Sequence, residues 1–198
     1  MFCFKGSRPA LGLWAALGLL AGLLLALAGC GGGQTDPAYD ASADRTVEQD
    51  FGTYTVPAGW LKSDAYSSED KFFYVMSGHE ADEQPDNISV EMGTNRYSAD
   101  EHLQFRDAIV RQLAMQMSGV KGTLTGDGTF TDNDDVLYIL TIEEEAAEEG
   151  GQGVITRQYY IVGEKRYVLV HLTSFTGDEA VQQAADKLAK SFVWAAAE

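Results

Sequence analysis

Leu11 to Leu27 make one uncharged apolar run of Leu, Ala, Gly and Trp, whereas everything downstream breaks into short segments of alternating or locally continuous hydrophobicity. Residues 31–49 hold Gly-Gly-Gly-Gln-Thr-Asp-Pro and then mostly Ala, Ser, Asp and Glu, with almost nothing to bury, and read as a flexible tether. From Phe51 the pattern is that of a folded domain. Phe51 to Val56 reads as a short strand that ends at Pro57, which has no ladder donor, and Gly59, which is free to take positive φ, so that Trp60 is redirected. A turn this restricted suits fixed packing of Trp60 in a core, against the alternative of a surface anchor for a partner. Lys71 to Met76 and Asn87 to Gly93 read as strands, the second with Ile88, Val90 and Met92 against Ser89 and Glu91, which predicts one wet face.

Ser98-Ala-Asp-Glu101 is a capping box and predicts a helix start. Leu103, Phe105, Ile109, Leu113 and Met117, with Ala108 and Ala114, recur at helical spacing, and Gly119 supplies a stop. Met115 and Met117 are read as filler for that apolar face rather than as an adaptable binding surface. Strands follow over Gly122 to Phe130, Val136 to Glu144, Gly153 to Val162 and Arg166 to Ser174. Val136 to Leu140, Tyr159 to Val162 and Tyr167 to Val170 are apolar at consecutive positions, so both faces of these strands need cover. Short polar joints such as Gly163-Glu-Lys165 make the sheet mainly antiparallel. A second helix over Asp178 to Lys190 presents Val181, Ala184, Ala185 and Leu188, and Phe192 and Trp194 close the chain as apolar anchors.

The apolar N-terminal run gains meaning from what surrounds it. Lys5 and Arg8 precede it, and Leu27-Ala28-Gly29-Cys30 closes it with small residues before a cysteine, the arrangement of a bacterial lipobox. Leu27, Ala28 and Gly29 suit signal-peptidase recognition, and Cys30 offers the thiol that would carry the lipid. The expected organisation is a signal peptide over 1–29, a lipidated tether over 30–50 and a single domain over 51–198. An uncleaved anchor is the alternative, since residues 11–28 approach the ~20 apolar residues a bilayer requires. Either places the domain on the extracytoplasmic face of a bacterial cell envelope. Gly31, rather than Asp, follows the cysteine and leaves inner and outer membrane both open.

Removing residues 1–29 takes away Lys5 and Arg8 and no acid, so the net charge of −16 becomes −18 over the remaining 169 residues. A domain this acidic repels nucleic-acid phosphates and anionic headgroups, so no nucleic-acid partner is expected. Cys3 and Cys30 are the only cysteines, which leaves the folded domain without a disulfide or a reactive thiol.

The order of these elements, with Tyr54-Thr-Val-Pro57-Ala-Gly59-Trp60 at the start and Leu188-Ala-Lys-Ser-Phe192 at the end of the last helix, resembles the PsbP-like and DcrB-like proteins over roughly residues 51–194. Many bacterial members are lipoproteins. The resemblance implies an α+β fold, an α/β/α sandwich around a mainly antiparallel sheet of about six strands. It carries no shared catalytic residue set to transfer.

Candidate chemistry is sparse. His79, His102 and His171 show no zinc-like spacing, and His171, within an apolar strand, is the one expected to be buried. Asp127, Asp132, Asp134 and Asp135 invite a calcium reading, but Asp132-Asn-Asp-Asp135 lacks the spaced ligand order and reads as a polar turn. Glu143-Glu-Glu145 with Glu148 and Glu149 reads as a charged hairpin end. With no nucleophile elbow, Walker loop, dinucleotide fingerprint or H-E-x-x-H, no catalytic residue, cofactor or metal is expected. The expected function is non-enzymatic: an envelope lipoprotein that binds or helps assemble another envelope protein, held at the membrane by lipid on Cys30. A small-molecule or cation-binding lipoprotein is the alternative, and a hydrolase without a recognisable motif ranks third.

Serine cannot accept the thioether-linked lipid, so Cys30→Ser is expected to release the protein from membranes or leave an unprocessed precursor. Cell fractionation with intact-mass analysis checks this; a mature-sized, lipid-free product retained on membranes overturns it.

Overall fold

The computed structural model describes residues 41–146, 151 and 153–196. Ten strands and two helices are seen: β1 (Arg45–Gln49), β2 (Gly52–Val56), β3 (Trp60–Lys62), β4 (Lys71–Met76), β5 (Asn87–Thr94), α1 (His102–Gln116), β6 (Gly122–Phe130), β7 (Val136–Glu144), β8 (Val154–Gly163), β9 (Arg166–Ser174), α2 (Glu179–Lys190) and β10 (Val193–Trp194). Seven strands form an antiparallel sheet in the order β3-β4-β5-β9-β8-β7-β6, and β1-β2-β10 form a separate antiparallel sheet. The fold is α+β, with one helix against each face of the large sheet.

The two-sided burial of the central strands sets this arrangement. On β9, Val168, Val170 and Leu172 face α2, whose Val181, Ala185, Leu188 and Ala189 complete an apolar core with Leu137, Tyr159 and Ile161. Tyr167 and Leu169 point to the opposite face, where Phe105 and Leu113 of α1 pack with Tyr138, Leu140, Ile142, Tyr160 and Val162. The second core is largely aromatic: the Phe105 ring lies 5.3 Å from Tyr167 and 5.7 Å from Tyr160.

Helix ends follow the sequence closely. Glu101 Oε2 accepts the Ser98 backbone N–H at 3.0 Å, which holds the Glu101 carboxyl below its ordinary range, although the chain first turns as a 3-10 segment over Ala99–Glu101. Asp178 caps α2 by accepting the Ala180 N–H at 2.9 Å, and Lys187 and Lys190 complement the dipole in its last turn. The turn into α2 is fastened by the buried carboxylate of Asp86, which accepts the Phe175 and Thr176 backbone N–H groups at 2.6 and 3.1 Å and also the Thr176 hydroxyl.

Four features depart from the sequence reading. First, β1 lies inside the stretch read as tether; Thr46, Val47 and Glu48 alternate, and Val47 packs on the main core. Second, β2 pairs with β1 and β10 instead of joining the large sheet, because the Pro57–Gly59 turn (Gly59 φ 86°) separates it from β3. Third, the expected wet face of β5 is not wet at Ser89, 2% exposed, and its apolar face ends early, with Met92 exposed; β5 is an interior strand flanked by β4 and β9. Fourth, Leu103 (49% exposed) and Met115 (71% exposed) lie outside the core. Each sits two residues from a core position, Phe105 or Leu113, and two residues rotate a helix by about 200°. Met117 does pack against the aromatic core.

Trp60 is 2% exposed and belongs to the α2-side core, which settles its place as packing. Trp60→Ala is therefore expected to lower the unfolding free energy by about 3–5 kcal/mol, and Trp60→Phe by less. Chemical denaturation checks this, and an unchanged midpoint for the alanine variant overturns it.

Candidate functional site

The three histidines have separate surroundings. His79 Nδ1 lies 2.7 Å from Asp82 Oδ2 in the exposed β4–β5 loop, and His102 Nδ1 lies 2.6 Å from the Tyr138 hydroxyl at the start of α1. His171 is partly buried on β9 with Ser89 and Gln158 as its cross-strand neighbours. Gln158 Oε1 accepts the Tyr160 hydroxyl at 2.7 Å.

The acidic segment after β6 is a turn. Thr131 Oγ1 accepts the backbone N–H groups of Asn133 and Asp135 at 3.2 and 3.1 Å, and Asp134 takes φ 63°. The turn is fastened to the end of α2: Asp132 N–H donates to Lys190 O at 2.9 Å and Asn133 Nδ2 to Phe192 O at 3.1 Å. Asp127 stands apart from it on β6, where its Oδ1 accepts the Gly128 N–H. Glu143 and Glu144 end β7, burial raising the Glu144 carboxyl; Glu148 and Glu149 lie outside the described residues, as do Leu27, Ala28, Gly29 and Cys30.

The surface feature with the clearest binding chemistry is a groove of about 780 Å³ along the outer side of α1, lined by Arg96, Tyr97, Ala108, Arg111, Met115 and Ser118 among others. Its rim is built by the segment between β5 and α1. Asn95 N–H donates to Lys165 O at 2.9 Å and Lys165 N–H to Tyr97 O at 3.0 Å, which ties that segment to the β8–β9 hairpin. Tyr97 thereby stands edge-on to Phe105 at 6.3 Å, and the Arg96 guanidinium lies 5.1 Å over the Tyr97 ring. Arg111 and Met115, both exposed, also line the groove, together with the small side chains of Ala108, Ala114 and Ser118. Two guanidinium groups around an exposed thioether form a basic, adaptable surface on a chain of net charge −16. Sequence reading missed it because Arg96 and Arg111 are fifteen positions apart and Met115 was assigned inward; the signal available was the helical angle of Met115.

Burial, with a smaller contribution from the Lys71 ammonium, pushes the His171 imidazole down to about 4. Lys71 itself pairs with Glu91 at 3.5 Å. Between about pH 4 and 6.5 the unfolded chain binds a proton at this position that the folded chain does not, so stability rises with pH across that window and is lost as pH falls. Replacing His171 by Gln is expected to flatten this part of the stability profile. Denaturant unfolding of both proteins through the window checks it, and parallel profiles overturn it.

No protein-family model and no curated protein sequence matches this chain. Among solved structures it is similar to the solution structure of cyanobacterial PsbP (CyanoP) from Synechocystis sp. PCC 6803, at 15% identity over 85% of this chain and 99% of that one, with a TM-score of 0.49. A Bacteroides thetaiotaomicron VPI-5482 crystal structure gives 10% identity over 74% of this chain and 46% of that one, with a TM-score of 0.44. The Pseudomonas aeruginosa protein of unknown function PA94 gives 14% identity over 73% and 92%, with a TM-score of 0.42.

Proposed function

We propose that this chain is a non-enzymatic accessory protein of the cell envelope, carried by lipid on Cys30 in the manner of the PsbP-like and DcrB-like lipoproteins, which binds another envelope protein through the outer side of α1. The observation that carries the reading is the groove lined by Met115: a side chain 71% exposed, with Arg96 and Arg111 lining the same concavity. Exposed Met and Arg are the residue types enriched where protein partners bury surface. The charge contrast selects the occupant, since a segment carrying carboxylates beside an apolar side chain satisfies both guanidinium groups and covers the thioether.

A photocrosslinker placed at Gln112, on the groove wall, tests this in membranes of the native cell. The expected result is a discrete adduct with one envelope protein that disappears in the Arg111→Glu, Met115→Glu double variant while the thermal midpoint stays within about 2 °C, because both side chains are solvent-exposed. Background adducts only, or an adduct indifferent to the double variant, overturns the proposal.

A further inference from the structure

Strand β6 ends the large sheet, and among the described residues no strand lies beside its outer edge. The opposite edge strand, β3, is three residues long and carries Lys62, the short charged form that keeps an edge from pairing with another molecule. Strand β6 lacks these protections. Its nine residues, Gly122-Thr-Leu-Thr-Gly-Asp-Gly-Thr-Phe130, pair with β7 in unbroken register, without a bulge. They include no Pro, Lys or Arg and a single acid, Asp127. Most are exposed, Phe130 to 59%.

The order of side chains along β6 complements its own reverse. Antiparallel pairing with β6 of a second copy, about a two-fold axis at the middle residue Gly126, uses the whole strand. It sets Gly122 against Phe130, Thr123 against Thr129, Leu124 against Gly128 and Thr125 against Asp127. Even-numbered positions share the sheet face of Tyr138, Leu140 and Ile142. On that face each large apolar side chain therefore meets a glycine of the other copy, and the exposed Phe130 ring covers a residue that has no side chain. On the other face Thr123 and Thr129 become cross-strand neighbours, and the Asp127 carboxylate meets the Thr125 hydroxyl. Neighbouring registers are poorer. An axis at Asp127 opposes two like charges, and an axis at Thr125 leaves Phe130 beyond the end of the paired strand.

We propose that β6 is a self-pairing edge, through which two copies of this chain join their large sheets into one antiparallel sheet about a two-fold axis at Gly126. Charge sets how strongly they do so. Each chain carries −16, so two copies repel at long range. The two Asp127 carboxylates, the only charges on the paired strands, stand on a diagonal about 7–8 Å apart instead of opposite one another. Association is therefore expected to tighten as salt screens the repulsion. Thr125 and Asp127 also border a cleft of about 430 Å³ in which Arg157 pairs with Asp186 at 3.6 Å. None of the residues lining the α1 groove belongs to β6, so the pairing edge stands or falls independently of that groove.

Thr123 and Thr129 lie about 20 Å apart along one strand but directly opposite across the proposed axis. Residues 51–198 contain no cysteine of their own. In the full chain, the Thr123→Cys, Thr129→Cys double variant is expected to give a covalent dimer on mild oxidation in membranes. Neither single variant is expected to do so, because its cysteine would lie about 20 Å from the copy's. Sedimentation of the detergent-solubilised full chain is expected to show a concentration-dependent monomer–dimer equilibrium that shifts toward dimer with added salt. The Thr123→Lys, Thr129→Lys double variant sets lysines opposite one another and is expected to weaken association by about tenfold or more, although it lowers the net negative charge. The proposal is overturned if the double-cysteine variant stays monomeric on oxidation, if the single variants crosslink as readily, or if the edge captures a different protein. A lysine variant that dimerises as the parent does also overturns it.

Discussion

Strands β7, β8 and β9 are apolar on both faces, and that constraint generates the remaining architecture. A strand whose consecutive side chains are all hydrophobic stays out of water only if something packs on each side. Two helices answer this need, and they answer it unequally. Helix α2 buries Val181, Ala185, Leu188 and Ala189 in a sealed core that also takes Tyr54, Val56 and Trp60 from the N-terminal part of the fold. Helix α1 buries only Phe105 and Leu113 fully, against a layer of tyrosines, and leaves a broad outer side in solvent.

The end of α2 shows how the small sheet is attached. Ser191 Oγ donates to Leu188 O and accepts the Thr55 N–H, both at 2.8 Å, so one hydroxyl joins the helix C-terminus to β2. Phe192 then enters the core between Phe51, at 6.3 Å, and Trp194, at 4.9 Å. Gly52 permits this approach: a Cβ there would sit 2.4 Å from the Val193 carbonyl oxygen. The Lys187–Asp44 pair and the Gly59 N–H to Ala41 O bond, at 2.6 Å, hold the chain just before β1 against the same region.

The α1 groove and the Arg157 cleft lie on opposite faces of the sheet, the first along the outer side of α1 and the second beside α2. Both place guanidinium groups in an acidic molecule, but differently. Arg96 and Arg111 are solvent-exposed, whereas Arg157 is partly enclosed, with its Nη1 3.6 Å from Asp186 Oδ1.

Local pattern determined most of the elements. The limits of β4, β6, β7 and β9 coincide with those read from hydropathy, and the Ser98 and Asp178 caps start their helices where side-chain chemistry indicates, because alternation and capping are interactions between residues near in sequence. Tertiary structure decided what depends on rotation and distant neighbours. Whether Met115 faces in or out follows from which stripe of α1 meets the tyrosine layer, and a broad apolar count along the helix does not contain that angle. Val47 became a strand residue because β2 offered it an edge, with no apolar run of its own to announce it. The pairing of Arg157 with Thr141 and Thr125, and the placement of Asp186 over them, required three strands in register and a helix from the end of the chain. Arrangements of this kind are assembled by sheet register, and register is a property of the folded molecule rather than of any one segment.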